Sequence, residues 1–408
     1  MRNRLVLRFA PAAAFLVLMA GCGENVESPS SPGTGTPEAA AAAAAAATTL
    51  SFIQVSAGTS HTCGLTTDSL AYCWGGNSVG QLGDGSNTER LTPVRVSGGL
   101  RFVQISAGNG HTCAVTKASL AYCWGDNFEG EVGDGTWENS RSSPTAVAGG
   151  RRFHQIHAGY VHTCALNLND AAFCWGNNDL GQLGTSGQTL TPLAVLGGLH
   201  YRQVITAASH TCGVTTGDKA YCWGANSFGE LGDGTRTNHP RPVAVAGGLS
   251  FQQVVPGSGF YVLGQNEPFV DDQAHTCGVT TDSHAYCWGL GPVGSSLTPF
   301  RVPGGHLFRS LTSGRAHVCG VALSRAVFCA GNGGDGELGT GNTTSSTTPV
   351  KVASSLLFSS VSAGALGFHT CAVTTDHRVY CWGRNGSGQL GDGTRTNRLA
   401  PVAVAGAM

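Results

Sequence analysis

Hydrophobic residues along most of this chain fall in short runs of four to seven β-branched and aromatic residues, separated by clusters of Gly, Asn, Asp and Ser. Such runs are typical of short antiparallel strands, and none of them has the period of an amphipathic helix. The order of the runs also recurs, as in FHQIHAG, HTCALN, AAFCWG and the loop GQLGT of one unit. The pattern therefore predicts an all-β fold made of repeated units.

The repeat is marked by two cysteines ten residues apart, which occur seven times. The pairs are Cys63 and Cys73, Cys113 and Cys123, Cys164 and Cys174, Cys212 and Cys222, Cys277 and Cys287, Cys319 and Cys329, and Cys371 and Cys381. Successive units are 50, 51, 48, 65, 42 and 52 residues apart. A period near fifty residues is typical of propeller blades or solenoid turns.

A disulfide within each hairpin is the interpretation that the local spacing favours. If Cys63 faces Cys73, then Leu65 faces Ala71, and residues 67–69 form a three-residue turn. Directly opposed residues of two strands lie close enough for a disulfide after a small adjustment. Reduced, inert cysteines and zinc sites are the alternatives, although the units lack the CxxC spacing that structural zinc sites favour.

The other recurring residues of the motif have structural interpretations. We interpret the motif histidines, such as His61, His111 and His369, as strand-end residues that bond to local backbone groups. We expect the tryptophans to pack between neighbouring units, because they follow the second cysteine at a fixed position. They are Trp74, Trp124, Trp175, Trp223, Trp288 and Trp382, whereas the sixth unit has Ala330 there.

The N-terminus has the layout of an export signal. Arg2, Arg4 and Arg8 precede an apolar run over residues 12–20, and LMAGC ends at Cys22. This ending resembles the bacterial lipoprotein signal box, which implies that Cys22 is acylated. The sequence thus predicts a lipoprotein signal peptide over 1–22, a low-complexity tether over 23–49 and a repeat domain over 50–408.

The repeat itself resembles a known family. The run from SAGxxHTCxVT to YCWGxNxxGQLGDGT, clear in units one, two, four and seven, resembles the regulator of chromosome condensation (RCC1) repeat across residues 50–406. Membership implies a seven-bladed β-propeller. Unit three departs from it with GTSG, unit six with CAGN and unit five with GLGPVGSS. Because PVAVAG at 401–406 has no unit after it, we predict that the C-terminal strand closes the first blade.

Composition and motifs narrow the function. A net charge of -1 with 12% charged residues gives no basic field for nucleic acid. No GxSxG, P-loop, HExxH or EF-hand pattern occurs in the sequence. Each GDG turn supplies one carboxylate, which favours turn formation over calcium binding. These aspartates are Asp84, Asp134, Asp233 and Asp392.

We therefore expect a lipid-anchored protein-interaction scaffold outside the cytoplasm. We expect no enzymatic activity, cofactor or metal, a monomeric state, and an unidentified protein or other envelope macromolecule as partner. Two alternatives remain. The resemblance implies guanine-nucleotide exchange activity, as in eukaryotic RCC1, and GDGTW at 133–137 is similar to the Asp-box turn of sialidase propellers. The family also includes a secreted bacterial propeller that inhibits β-lactamase by protein contact, and the signal peptide favours that kind of setting.

The recognition surface is predicted in unit five, where the step lengthens to 65 residues. Between Val255 and His275 the chain contains PGSGFYVLGQNEPFVDDQA, and this insertion must leave the blade as a loop. Aromatic anchors with polar neighbours are typical of protein interfaces. The alternative is that the loop only fills the space beside the shortened turn of unit five. The candidate partner-binding residues are Phe260, Tyr261, Phe269, Asp271 and Asp272.

Overall fold

The computed structural model describes residues 49–257, 260–261, 270–271 and 274–407. These residues form a seven-bladed propeller of four-stranded antiparallel sheets, which confirms the predicted all-β fold. Their one helical element is a single 3₁₀ turn at Ser97–Gly99. The predictions for the signal peptide, the acylated Cys22 and nearly all of the tether fall outside the described residues.

Each blade takes its four strands from one continuous stretch of chain, in the order in which they occur. Blades one to four contain β1 (Phe52–Ala57), β2 (His61–Thr66), β3 (Ala71–Gly75), β4 (Arg90–Arg95), β5 (Phe102–Ala107), β6 (His111–Thr116), β7 (Ala121–Gly125), β8 (Arg141–Ala146), β9 (Phe153–Ala158), β10 (His162–Asn167), β11 (Ala172–Gly176), β12 (Thr189–Ala194), β13 (Tyr201–Thr206), β14 (His210–Thr215), β15 (Ala220–Gly224) and β16 (His239–Ala244).

Blade five differs from the others because a separate two-stranded ribbon interrupts it. It contains β17 (Phe251–Gly257), β20 (His275–Thr280), β21 (Ala285–Gly291) and β22 (Gly294–Arg301), and the ribbon is β18 (Phe260–Tyr261) with β19 (Val270–Asp271). Blades six and seven contain β23 (Phe308–Ser313), β24 (His317–Ala322), β25 (Val327–Gly331), β26 (Ser346–Lys351), β27 (Phe358–Ala363), β28 (His369–Thr374), β29 (Val379–Gly383) and β30 (Arg398–Ala403).

The first strand of each blade lies innermost in the ring. Thus β1 contacts β5 on one side and β27 on the other, so the last blade packs directly against the first. Apolar clusters fill the spaces between neighbouring blades, for example Cys63 and Leu65 of blade one with Phe102 and Trp124 of blade two. The core is therefore divided among the blade interfaces, and every blade needs its neighbours to bury its apolar residues.

The hairpin of each unit has the register predicted from the sequence. Cys63 lies opposite Cys73 and Leu65 opposite Ala71. The structure joins all seven cysteine pairs in disulfides, with Cα atoms 4.0 to 4.1 Å apart. Each bond links the second and third strands of its own blade, and none joins two units. The repeat therefore contains one cross-linked hairpin per blade.

The prediction that the C-terminal strand closes the first blade is wrong. The final strand, β30, pairs with β29 inside blade seven, and blade one already has β4 as its fourth strand. Every PVxV-like segment folds back on the third strand of the unit that precedes it. The ring instead closes by contact between complete blades, and the Leu50 amide donates a hydrogen bond to the Gly406 carbonyl over 2.7 Å.

Candidate functional site

The motif histidines link neighbouring blades. His61 of blade one contacts Thr112 of blade two, with 2.8 Å between Nε2 and Oγ1. The Thr112 hydroxyl donates its single proton to the Gln81 carbonyl of blade one at 2.8 Å. It can therefore only accept from the histidine, so the imidazole carries its proton on Nε2. The expectation that these histidines bond to local backbone groups is wrong.

The same contact recurs at other interfaces, and we call this set the His–Thr ring. Its distances between Nε2 and Oγ1 are 2.8 to 3.0 Å. The pairs are His61 and Thr112, His111 and Thr163, His162 and Thr211, His210 and Thr276, His317 and Thr370, and His369 and Thr62. The last pair joins blade seven to blade one, so it also closes the propeller.

Burial fixes the protonation state of the ring. Desolvation lowers the pKa to about 3 for each of its six histidines, namely His61, His111, His162, His210, His317 and His369. They are therefore neutral at physiological pH. Within the described residues no group of three or more His, Cys, Asp and Glu side chains could hold a metal ion. The histidines of the ring thus have a structural role in joining the blades.

The motif tryptophans also join blades, as predicted. Trp124 is fully buried and donates its indole N–H to the same Gln81 carbonyl that accepts from Thr112, at 3.0 Å. Gly83 lies against the indole with a φ of +69°, and a Cβ there would come within 2.6 Å of the Trp124 ring nitrogen. Glycine is required at this loop position both for the backbone conformation and for the close approach.

The interface between blades five and six lacks these groups. Val318 occupies the position of the ring threonine, and Ala330 occupies the position of the tryptophan. The loop after β21 is also short, because β22 begins three residues after β21 ends. The irregularities of units five and six in the sequence therefore lie at one interface. There, apolar contacts among residues such as Val293 and Leu311 replace the hydrogen bonds of the other interfaces.

The GDG aspartates hold turns, as expected. Asp84 accepts a hydrogen bond from the Ser86 amide at 2.9 Å and forms a salt bridge with Arg90 at 2.8 Å. Asp134 and Arg141 repeat this pairing at 2.7 Å. The carboxylates therefore satisfy groups of their own loops.

The predicted recognition loop is described only in part. Backbone pairing places Phe260 opposite Asp271 and Tyr261 opposite Val270. Phe269 and Asp272 lie outside the described residues. The proposal that these side chains bind a partner therefore stays a prediction.

A second candidate site lies where the loops after the third strands of blades two, three and four converge. These loops enclose a groove of about 810 Å³, which we call the acidic groove. Its apolar lining includes Phe128, Leu180 and Phe228, and Phe128 is 63% exposed although it is a large aromatic side chain. Exposed apolar residues grouped around a concave surface are typical of binding sites.

The ionisable side chains that line the acidic groove are mainly carboxylic acids. None of its lining residues in the described chain is a lysine, arginine or histidine. Arg236, which donates to the Ser227 carbonyl, is the basic residue at its edge on blade four. Five carboxyl groups line it, those of Asp126, Glu129, Glu131, Asp179 and Glu230. The groove therefore complements a cation.

Two of these carboxyl groups are deeply buried. Glu131 and Glu230 are each 1% exposed. Burial raises the pKa of Glu131 to about 8 and that of Glu230 to about 7. The sequence interpretation missed both residues. The available signal is GEVG at 130–133 and GELG at 229–232, where units one, three and seven have GQLG.

Trp137 is a second exposed aromatic residue on the loop of blade two that carries Phe128. It is 57% exposed, unlike the motif tryptophans, which are all buried. The amide of its neighbour Glu138 donates to the Asn127 carbonyl at 3.0 Å, which keeps Trp137 close in the fold to Phe128. Two exposed aromatic residues therefore belong to the same loop of blade two. Aromatic residues of this kind dominate the energetics of many protein interfaces.

Family and sequence comparisons identify similar proteins. Two family models, both described as the regulator of chromosome condensation (RCC1) repeat, match the chain, one at residues 68–115, 120–166, 218–263, 326–373 and 376–408, and the other at 52–81, 102–131, 153–182 and 358–389. The ultraviolet-B receptor UVR8 of Arabidopsis thaliana is 28% identical over 366 residues, which cover 86% of this chain and 69% of that protein.

A further relative is much longer than this chain. The probable E3 ubiquitin-protein ligase HERC4 of Mus musculus is 30% identical over 266 residues, which are 62% of this chain but 19% of that protein. The chain thus spans about a fifth of its length.

Solved structures share the fold at low sequence identity. Human WBSCR16 has a TM-score of 0.70 at 19% identity, covering 82% of this chain and 94% of that one. Prp20p of Saccharomyces cerevisiae has a TM-score of 0.63 at 21% identity, covering 77% of this chain and 80% of that one. Among the described residues, no helix is long and apolar enough to span a lipid bilayer.

Proposed function

Because this chain belongs to the regulator of chromosome condensation (RCC1) repeat family, we propose that it is a non-catalytic scaffold that binds another protein outside the cytoplasm. A lipid on Cys22 holds it to a membrane, and residues 23–49 tether the propeller to that anchor. Fold similarity alone does not transfer the activities of the relatives, so the argument rests on the surface of this propeller.

The observation that carries the proposal is an exposed aromatic surface on a rigid frame. Phe128 is 63% and Trp137 57% exposed, and both lie on a blade that is cross-linked by its own disulfide. A rigid frame binds with little loss of conformational entropy, so exposed aromatic side chains on it are suited to be interface anchors. A propeller of similar fold, Prp20p, is described with binding properties to Gsp1p and histones, which supports protein binding as a use of this architecture.

The disulfides support a location outside the cytoplasm. Fourteen of the fifteen cysteines are joined in seven bonds, and the remaining one is Cys22. Disulfides persist in oxidising compartments and are rare in the cytosol. An export signal over residues 1–22 is consistent with the same compartment.

Site-specific photo-crosslinking in cells that produce the full chain tests the proposal. A photoreactive phenylalanine analogue is placed at Phe128, at Trp137 and at the exposed positions Ile53, Leu120 and Leu357, which lie outside the loop that carries Phe128 and Trp137. We expect a discrete protein adduct at Phe128 or Trp137 and none at Leu357. The absence of a discrete adduct at every position would contradict the scaffold proposal.

A further inference from the structure

We propose that the acidic groove binds a protein segment rich in arginine and lysine, with Glu131 and Glu230 as the buried anionic groups that receive its cations. This inference rests on the proposed function and adds the chemistry of the partner and the place where it binds. It differs from the prediction for the unit-five insertion, because it concerns the loops of blades two, three and four.

Glu131 and Glu230 are buried carboxyl groups without a counter-ion. Among the described residues none forms a salt bridge with either of them, and each residue is 1% exposed. In the part of the chain that the structure describes, their hydrogen-bond donors are backbone amides, such as that of Glu129 to Glu131 at 2.9 Å and that of Phe228 to Glu230 at 2.8 Å. A buried carboxylate without a counter-ion is costly, and an incoming cation would supply the missing charge.

The equivalent loops of other units keep the same hydrogen bond without a carboxyl group. Units one, three and seven have glutamine at the same position, and there the side-chain carbonyl accepts the equivalent backbone amide. The distances are 3.1 Å at Gln81, 2.9 Å at Gln182 and 2.9 Å at Gln389. The loop therefore needs an acceptor but no negative charge. Two of the three glutamates at this position line the acidic groove, and the third, Glu337, lies in blade six.

Aromatic residues also line the groove. Phe128 and Phe228 belong to its lining, and Leu180 lies between them in the order of the loops. Guanidinium and ammonium groups are attracted to aromatic faces, and the aliphatic parts of arginine and lysine pack on apolar residues. The same groove therefore suits both parts of a basic side chain. Because it extends across three blades, it fits an extended segment with several such side chains better than a single small cation.

The protonation of the two glutamates gives a further readout. Burial raises the pKa of Glu131 to about 8, and the nearby charges of Asp126 and Glu129 act in the same direction. Burial raises the pKa of Glu230 to about 7, whereas Arg236 opposes that rise. Burial, Asp126 and Glu131 also raise the pKa of Tyr160, which stays protonated near neutral pH. A bound cation favours the ionised carboxylates, so affinity should increase from pH 6 to pH 8.

The test measures binding of a fluorescein-labelled hexa-arginine peptide to the purified full chain by fluorescence anisotropy. We expect the Glu131→Gln, Glu230→Gln double variant to bind roughly tenfold to a hundredfold more weakly at pH 8, where tenfold corresponds to about 1.4 kcal/mol. Glu337→Gln is the matched control, because it makes the same change at the same loop position of another blade, and its affinity should stay unchanged. Glutamine is native to this position in three units, so all variants should fold.

A gain-of-charge variant gives an independent check. Gln182 lines the groove on the middle loop, and Gln182→Glu adds a sixth carboxyl group there. We expect this variant to bind hexa-arginine more tightly than the wild type, and we expect added salt to weaken binding by both proteins.

Two results would overturn the inference. One is equal affinity of the wild type and the double variant for hexa-arginine, and the other is equal binding of a hexa-glutamate peptide. The scaffold proposal is judged separately. If the protein adduct at Phe128 persists in the double variant and hexa-arginine affinity is unchanged, then the cationic partner is refuted and the scaffold stands. If no position yields an adduct, then the scaffold is refuted.

Discussion

Mild acid should destabilise this propeller, because the His–Thr ring holds six histidines in the neutral form. Their folded-state pKa is about 3, compared with 6.5 for an unperturbed histidine. Below pH 6.5 the unfolded chain therefore binds protons that the folded chain does not. The stability from these groups is complete above pH 6.5 and is lost progressively as the pH falls towards 3.

The size of the effect follows from the same values. At pH 5.5 the unfolded state gains about 1.4 kcal/mol for each histidine, since one pH unit below its pKa the group is almost fully protonated. Six such residues together lower the free energy of unfolding by roughly 8 kcal/mol between pH 7.5 and pH 5.5, and the buried His157, whose pKa is lowered to about 4, adds to this loss. Glu131, Glu230 and Glu337 act in the opposite direction, because their pKa values are raised to about 8, 7 and 7 and they therefore take up protons in the folded state, which offsets roughly 6 kcal/mol. The expected net loss is about 3 kcal/mol, which is still a large share of the roughly 5 to 15 kcal/mol by which typical domains are stable.

The assay is guanidinium unfolding at pH 7.5, 6.5 and 5.5 with the disulfides intact, followed by the fluorescence of the buried tryptophans. The midpoint should change little between the first two conditions and fall between the last two. His111→Gln keeps a side-chain N–H donor for Thr163 but cannot titrate, so its pH dependence should be smaller by about 1.4 kcal/mol at pH 5.5. A pH dependence of the midpoint that is the same in the wild type and in His111→Gln would show that this histidine is not held in the neutral form.

Other substitutions test single links in the structure. Thr112→Val removes the hydroxyl that joins His61 to the Gln81 carbonyl and should lower the free energy of unfolding by about 1 to 3 kcal/mol in denaturant titrations, whereas Thr112→Ser should lose less than half of that. Equal losses in the two variants would contradict the proposed hydrogen bonds. Cys22→Ser should move the protein from the membrane fraction to the soluble fraction, and retention in the membrane would argue against lipid anchoring.

Sequence reasoning succeeded where the determining contacts are close together in the chain. Cys63 lies opposite Cys73 within a single hairpin. The length of its turn and the alternation of buried and exposed side chains fix the register of the two strands. The fixed position of the tryptophans likewise predicted packing between units, because a large apolar residue repeated at one place in every unit needs the same kind of partner each time.

The sequence could not decide between partners that are equally near along the chain. A PVxV-like segment lies between two units and could add a strand to either, and the structure assigns it to the preceding one. The partner of His61 is 51 residues away in the next blade, so its bond to Thr112 follows only from how the blades are packed. The hydrophobic pattern does not indicate which residue of the next blade forms a hydrogen bond with a given histidine.

The acidic groove shows the same limit most clearly. GEVG and GELG are visible in the sequence, yet Glu131 and Glu230 are 99 residues apart and each resembles a small variation of a loop motif. The repeat alone determined that there are seven like units, each with its own hairpin, and it favoured a disulfide in each hairpin, because these features depend on local spacing. Only the closed ring decided that the loops of blades two, three and four enclose one groove. The burial of Glu131 and Glu230, their raised pKa values and the grouping of acidic residues in the groove all arise from packing between blades.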